Sequence, residues 1–183
     1  MKSEGKTGAG HLISRMSSRY IKWTAYGLVI LLTTILQSLP HFLPAIGYAK
    51  PILIVPVAVC IAMFEGPVGG AAAGIAGGFL WDLFSDRLLG FNALLLLILC
   101  CACGLLSQLL IRNNLLSSTL MTAAALFVQG LLNWFFYDLL LENEQALTAL
   151  IHFTIPGFFY SLILTPPLYL AVYSVVRFLR SRE

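Results

Sequence analysis

The chain has 183 residues, 59% of them hydrophobic and 10% charged, with a mean hydropathy of +0.89. A soluble domain carries about 25% charged residues, so this chain cannot cover itself with polar side chains, and a soluble class gives way to an integral membrane protein. The net charge of +3 is small and gains meaning only once the charges are placed along the chain.

Residues 1–19 are polar, with Lys2, Lys6, Arg15 and Arg19, and read as a short, loose cytoplasmic tail. A crossing helix needs about 20 apolar residues for about 30 Å of hydrocarbon. Candidate spans follow at Tyr20–Phe42, Pro51–Phe64, Gly66–Phe84, Leu88–Ile111, Leu115–Leu141 and Leu147–Phe178. The second is short enough to suit a re-entrant segment as well. The first has a basic flank and small residues at Gly47 and Ala49, but its apolar run exceeds a signal core of about 7 to 15 residues. It reads as an uncleaved anchor. The expected organisation is a tail over 1–19, a single transmembrane domain over 20–179 and a cytoplasmic C-terminus at 180–183.

Charge tests this arrangement. With six spans and an inner N-terminus, the inner segments hold Lys2, Lys6, Arg15, Arg19, Lys22, Arg112, Arg177, Arg180 and Arg182, while the outer segments hold only Lys50 and Arg87. That is the positive-inside distribution. Asp82, Asp86, Asp138, Glu142 and Glu144 fall near or beyond the outer surface. The fold class is therefore an all-α integral membrane protein with about six transmembrane helices and both termini cytoplasmic.

The third span carries the strongest pattern. Gly66, Gly70, Gly74 and Gly78 recur every four residues, and Gly69, Ala73 and Gly77 form a second row beside them. Two rows of small residues make a groove that a helix can approach closely, a main source of helix association in lipid. Glycine weakens a helix by about 1 kcal/mol relative to alanine, so the rows need a packing reason; whether the partner is internal or another protein stays open here. Asp82 is the next member of the Gly66 row. It is either an interfacial acid hydrated from outside or a polar anchor pairing with neighbouring spans; a carboxylate at the bilayer centre costs about 2.5 to 3.5 kcal/mol. Asp86 and Arg87 read as a hydrated turn, and Gly90 either starts the fourth span or relieves its entry. Asn92 lies in that helix's first turn, where an amide can satisfy free backbone donors.

In the fifth span Gln129, Asn133 and Tyr137 repeat at spacing four, with Asp138 beside them. The row suggests a specific helix–helix face or a polar pocket. Asp82, Asn92, Asn133, Asp138, Gln37 and His152 all fall in the outer half, either converging on an outward cavity or dispersed at the interface. The sixth segment holds Pro156, Gly157, Pro166 and Pro167, which bend helices. A re-entrant stretch ahead of Pro156 is the other reading.

Cys60, Cys100, Cys101 and Cys103 lie in apolar runs. Consecutive helical positions point about 100° apart, so the CCAC run makes no single ligand face, and no metal or cofactor site is expected. His11, His41 and His152 sit on different segments, and no nucleophile-elbow, zinc-helix or phosphate-loop motif is present. No catalytic residue and no nucleic-acid partner are expected. The basic tail suits anionic lipid.

One block has a specific character: Gly74, Gly78, Trp81-Asp82, Ser85, Leu89-Gly90 and Asn92-Ala93-Leu94. A glycine-rich span, an Asp at its end, a short turn and an LGxNAL-like start to the next span together resemble the rod shape-determining protein MreD family. The resemblance covers about residues 20–180, and residues 74–94 are its specific part. The family often has Gly or Pro in the turn, where this chain has Asp86, Arg87 and Leu88. The resemblance implies a non-enzymatic component of the bacterial cytoplasmic membrane that belongs to the cell-elongation machinery. It implies binding to the bitopic partner MreC and a link between MreB filaments and the glycosyltransferase and transpeptidase that build peptidoglycan. The family is also similar in fold to the substrate-binding components of energy-coupling-factor transporters, so the alternative is a vitamin-uptake subunit. In either case the glycine face is expected to pack the bundle core, with Asp82 and Asn92 fixing the outer end of the third-to-fourth hairpin.

Overall fold

A computed structural model describes residues 5–39, 51–85, 88–109, 114–139, 152 and 154–180, with side chains described from residue 20 onward except at 138, 139 and 180. The described residues are all helical or in short connections. The helices are α1 (Gly5–Ser38), α2 (Ile54–Leu83), α3 (Phe91–Leu109), α4 (Leu115–Asn133), which runs on into a π-helical turn (Trp134–Leu139), and α5 (Ile155–Arg180). Among the described residues, five helices are long and apolar enough to cross a membrane.

The second helix is not one rod. Gly66 interrupts it with φ 79° and ψ −170°, a backbone conformation essentially confined to glycine, and Pro67 follows, with no N–H to continue the ladder. On either side of this break the chain doubles back. A Cβ placed on Gly70 would stand 2.6 Å from the Ala62 Cβ, and one on Gly77 would stand 3.1 Å from Ile54 Cγ1. A straight helix would hold Ile54 and Gly77 about 34 Å apart at 1.5 Å per residue. Thus α2 is a helical hairpin with a first arm over 54–65 and a second over 67–83.

The first arm is the centre of the protein. Every residue from Ile54 to Met63 is buried, as expected of a helix that is apolar on all sides. Tyr26 and Ile30 of α1, Leu96 and Cys100 of α3, Met121 and Leu126 of α4, and Tyr169 and Val172 of α5 belong to the same core cluster. Outward faces carry large apolar side chains such as Leu32, Phe79, Ile98, Phe127 and Ile163, which lipid covers without penalty.

Two expectations about extent change, and a third falls mostly outside the described residues. The tail read as loose is helical from Gly5. No proline interrupts residues 5–19, so the helix nucleated by the span propagates into them. The fifth span keeps α-helical form only to Asn133. Helix α5 starts at Ile155 and passes through Pro166 and Pro167; most of the stretch ahead of Pro156 lies outside the described residues.

Candidate functional site

The two small-residue rows of the second arm face different neighbours, both within the chain. The Gly66 row meets the backbone of α3. A Cβ on Gly70 would stand 2.7 Å from the Cys100 carbonyl oxygen, one on Gly74 2.7 Å from Leu96 C, and one on Gly78 2.6 Å from Ala93 N. Gly104 returns the approach from α3, where a Cβ would stand 2.6 Å from Gly66 C. The second row faces the first arm and α1: Gly77 lies against Ile54 and Ile30. The groove is therefore filled from inside.

That close approach delivers Asp82 to the start of α3. Its Oδ2 accepts the Gly90 N–H at 2.9 Å and the Ala93 N–H at 3.2 Å, while Oδ1 accepts the Asn92 N–H at 3.3 Å and the Asn92 Nδ2 at 2.8 Å. Gly90 takes φ 94° immediately before the helix, which aims its N–H at the carboxylate. Asp82 thus caps α3 from the preceding helix, using donors that a helix N-terminus leaves free and placing negative charge at the positive end of the dipole. At 1% exposure, it is not an acid hydrated from outside. Asn92 plays a different part from the one its position suggests: its amide donates to Asp82 instead of capping backbone donors.

The polar chain continues into α4. Asn92 Oδ1 accepts Gln129 Nε2 at 2.7 Å and Asn133 Nδ2 at 3.3 Å, and Asn133 Nδ2 also reaches the Gln129 carbonyl at 3.0 Å. Asp82 fixes the sense of this relay: Asn92 must turn its NH₂ to the carboxylate, so its carbonyl oxygen faces α4. Gln129 is buried, and its Oε1 has no partner among the described residues. Tyr137, the next member of the row, accepts the Leu88 N–H at 3.2 Å and stands edge-on to Phe91. Asp82, Gly90, Asn92, Gln129 and Asn133 are thus brought together. The side chain of Asp138, and all of Asp86 and Arg87, lie outside the described residues. Gln37 is engaged elsewhere, accepting the Leu53 N–H at 2.8 Å and the Ile54 N–H at 3.1 Å at the start of the first arm. His152 is exposed. Of the six outer polar residues, Asp82, Asn92 and Asn133 are thus joined in one relay, Gln37 is engaged at the first arm, and the side chain of Asp138 lies outside the described residues. Among the described residues no group of three His, Cys, Asp or Glu is placed to hold a metal.

At the opposite end of the hairpin lies a second polar cluster that sequence reasoning missed. Glu65 Oε1 accepts the Tyr26 hydroxyl at 2.7 Å and pairs with Lys22 Nζ at 2.8 Å. Ser107 donates to the Met63 carbonyl at 3.2 Å. The available signal was one lone acid, Glu65, between two apolar stretches, and one lone base, Lys22, inside the first span.

The chain matches the family model described as rod shape-determining protein MreD over residues 17–179. It belongs to that family, which consists of shape-determining membrane proteins and is not a known enzyme family. Together with its apolar helices, this makes the chain a multi-pass membrane protein with a role in rod-shape determination. No curated protein and no solved structure matches it.

Proposed function

We propose that this MreD-family chain is a non-enzymatic scaffold of the cell-elongation machinery in the bacterial cytoplasmic membrane. It binds MreC and helps couple MreB filaments to the peptidoglycan glycosyltransferase and transpeptidase. The observation that carries this reading is the use of Asp82: both oxygens of the buried carboxylate are engaged by N–H groups of its own chain. A general acid or base needs reach to a substrate proton, whereas this carboxylate fastens two helices. Gln129 and Asn133 are turned toward Asn92 in the same way.

In this reading the two arms of α2 are separate crossings, six in all, with both termini in the cytoplasm. The basic residues of the inner segments, Lys6, Arg15, Arg19 and Arg177 among them, support that orientation. The Gly66 turn then marks the inner end of the hairpin and Asp82 the outer.

The test is a mild-detergent pull-down of the full chain, with mass spectrometry of the proteins and small molecules retained. A scaffold brings down a single-span, coiled-coil periplasmic partner and no vitamin. A stoichiometric vitamin with an ATPase module, and no MreC, overturns the proposal in favour of an uptake subunit.

A further inference from the structure

Helix α5 keeps its form through Pro166 and Pro167, and this pair leaves one backbone acceptor without a donor in its own helix. The Ile163 carbonyl would take the N–H of residue 167 in an α-helix, or that of residue 166 in a 3₁₀ turn. Both residues are prolines and carry no N–H. The Leu162 carbonyl loses only the first kind of partner, since Thr165 keeps its N–H. Nearby hydroxyls are engaged elsewhere: Thr165 donates to the Ser161 carbonyl at 3.0 Å and Ser161 to the Gly157 carbonyl at 2.7 Å.

The orphan acceptor lies on the outward side of the bundle. A helical carbonyl sits between its own residue and the fourth one on, and here both are exposed, Ile163 at 71%. It falls inside the apolar stretch Ile155–Leu179, about 12 Å from Ile155 and about 24 Å from Leu179. Nor can α5 turn it inward. Ser161 Oγ accepts the Ile52 N–H at 2.7 Å on one side of the prolines, and Tyr169, Val172 and Val176 are set in the core on the other. In hydrocarbon an unmade backbone bond is costly, and prolines are tolerated where a neighbour supplies the missing partner. Acyl chains carry no donor. A second copy does not supply one either. A two-fold pair brings α5 against itself at equal depth, and from 162 to 171 its exposed face holds only Ile163, Pro167, Leu170 and Ala171.

We propose that this face of α5 docks one transmembrane helix of another protein, whose hydroxyl or amide side chain donates to the Ile163 carbonyl. The carbonyl oxygen carries partial negative charge, and such a donor is its electrostatic complement. Pro167 and Ala171, compact and exposed four residues apart, let the partner backbone come close. The inference needs only a membrane setting and is independent of the scaffold reading.

The experiment uses the full chain in the membranes of the cells that make it, with the photo-cross-linker benzoylphenylalanine in place of Phe159, on the same side of α5. Phe127 of α4, also exposed, is replaced in the same way as the reference. The expected result is an adduct at 159, and not at 127, with a transmembrane segment of another protein that contains a hydroxyl or amide side chain. Pro167→Ala gives the Ile163 carbonyl its own N–H and should lower the adduct yield about three- to tenfold, the worth of one interhelical hydrogen bond. Ala171→Leu, which fills the approach from the exposed side, should lower it too. The thermal midpoint of the solubilised chain shows whether Pro167→Ala is folded; where it is not, Ala171→Leu decides. Adducts with lipid alone, or with a second copy, overturn the proposal. So does a yield that folded Pro167→Ala leaves unchanged, or a partner segment with no such side chain.

Discussion

Ile54 lies against Gly77 within a single helical stretch: a Cβ on Gly77 would stand 3.1 Å from Ile54 Cγ1. The contact requires the stretch to fold back, and it makes Gly66 the hinge on which both arms depend. The φ of 79° and ψ of −170° at that hinge cost an L-residue about 1–3 kcal/mol. Gly66→Ala should therefore lower the thermal midpoint of the detergent-solubilised chain. The Gln108 side chain also lies where the new Cβ would go. If the loss persists in a Gln108→Ala background, the backbone is the cause. Gly27→Ala is the control, since nothing lies within 4 Å of a Cβ there and removing a mid-helix glycine is neutral or stabilising.

The glycine row makes a sharper demand. At Gly78 the nearest atoms to a new Cβ are the Ala93 and Asn92 backbone, with Ala93 N at 2.6 Å, and backbone cannot step aside as a side-chain end can. Gly78→Ala should cost about 1–3 kcal/mol as overpacking. Gly74→Leu and Gly78→Leu should remove most folded protein from the membrane, measured as monodisperse material after solubilisation. Normal abundance and normal cell shape in both Leu variants would sink the packing argument.

Asp82 holds three backbone N–H groups and one amide. Each buried donor left unmade costs about 1–3 kcal/mol, so Asp82→Ala should destabilise by at least about 3 kcal/mol. Asp82→Asn should rescue little, because its NH₂ must face a donor from one side or the other. A catalytic or transport role for the carboxylate would instead leave Asp82→Asn folded and inactive. The discriminating measurement is stability of the two variants side by side, scored together with cell shape.

Legibility in the sequence followed the range of each interaction. The four-residue glycine spacing is a local pattern, so the close approach of the second arm and α3 could be read directly. Asp82 and Asn92 lie on either side of one short turn, so their proximity could be read as well. Asn92 and Gln129 are 37 residues apart, and their pairing depends on which face of α4 meets α3, which neither helix specifies alone. Spacing marked Gln129 and Asn133 as a row without naming their target. The Lys22–Glu65 pair was missed because each member, taken singly, resembles an ordinary charge at the end of a span. Their meeting depends on the first arm lying in the centre, against α1.

That pair makes a separate prediction. Glu65 is held by both Lys22 and Tyr26, and its side chain is 13% exposed. Removing Lys22 alone strands a carboxylate near the membrane boundary. Lys22→Met should therefore cost about 1–2 kcal/mol, less than for a fully buried pair because some solvent remains. Lys22→Met with Glu65→Gln should recover part of that loss, giving a non-additive cycle. Additive losses in thermal unfolding of the four proteins would show that the two charges do not interact.

The relay should also be unequal along its length. Asn92 is its centre: it donates to Asp82 and accepts from Gln129 and Asn133. Asn92→Ala strips a donor from the carboxylate and leaves the Gln129 NH₂ without its acceptor, two uncompensated groups at a buried site. That should cost at least about 2 kcal/mol. Gln129 is the weaker link, since its Oε1 is already buried without a partner among the described residues. Gln129→Met keeps much of the side chain's length and removes that oxygen together with the one bond its NH₂ makes, so the gain offsets much of the loss. The expected order of thermal midpoints is wild type close to Gln129→Met, with Asn92→Ala well below both. If Gln129→Met falls as far as Asn92→Ala, the α4 end of the relay contributes as much as the Asp82 end.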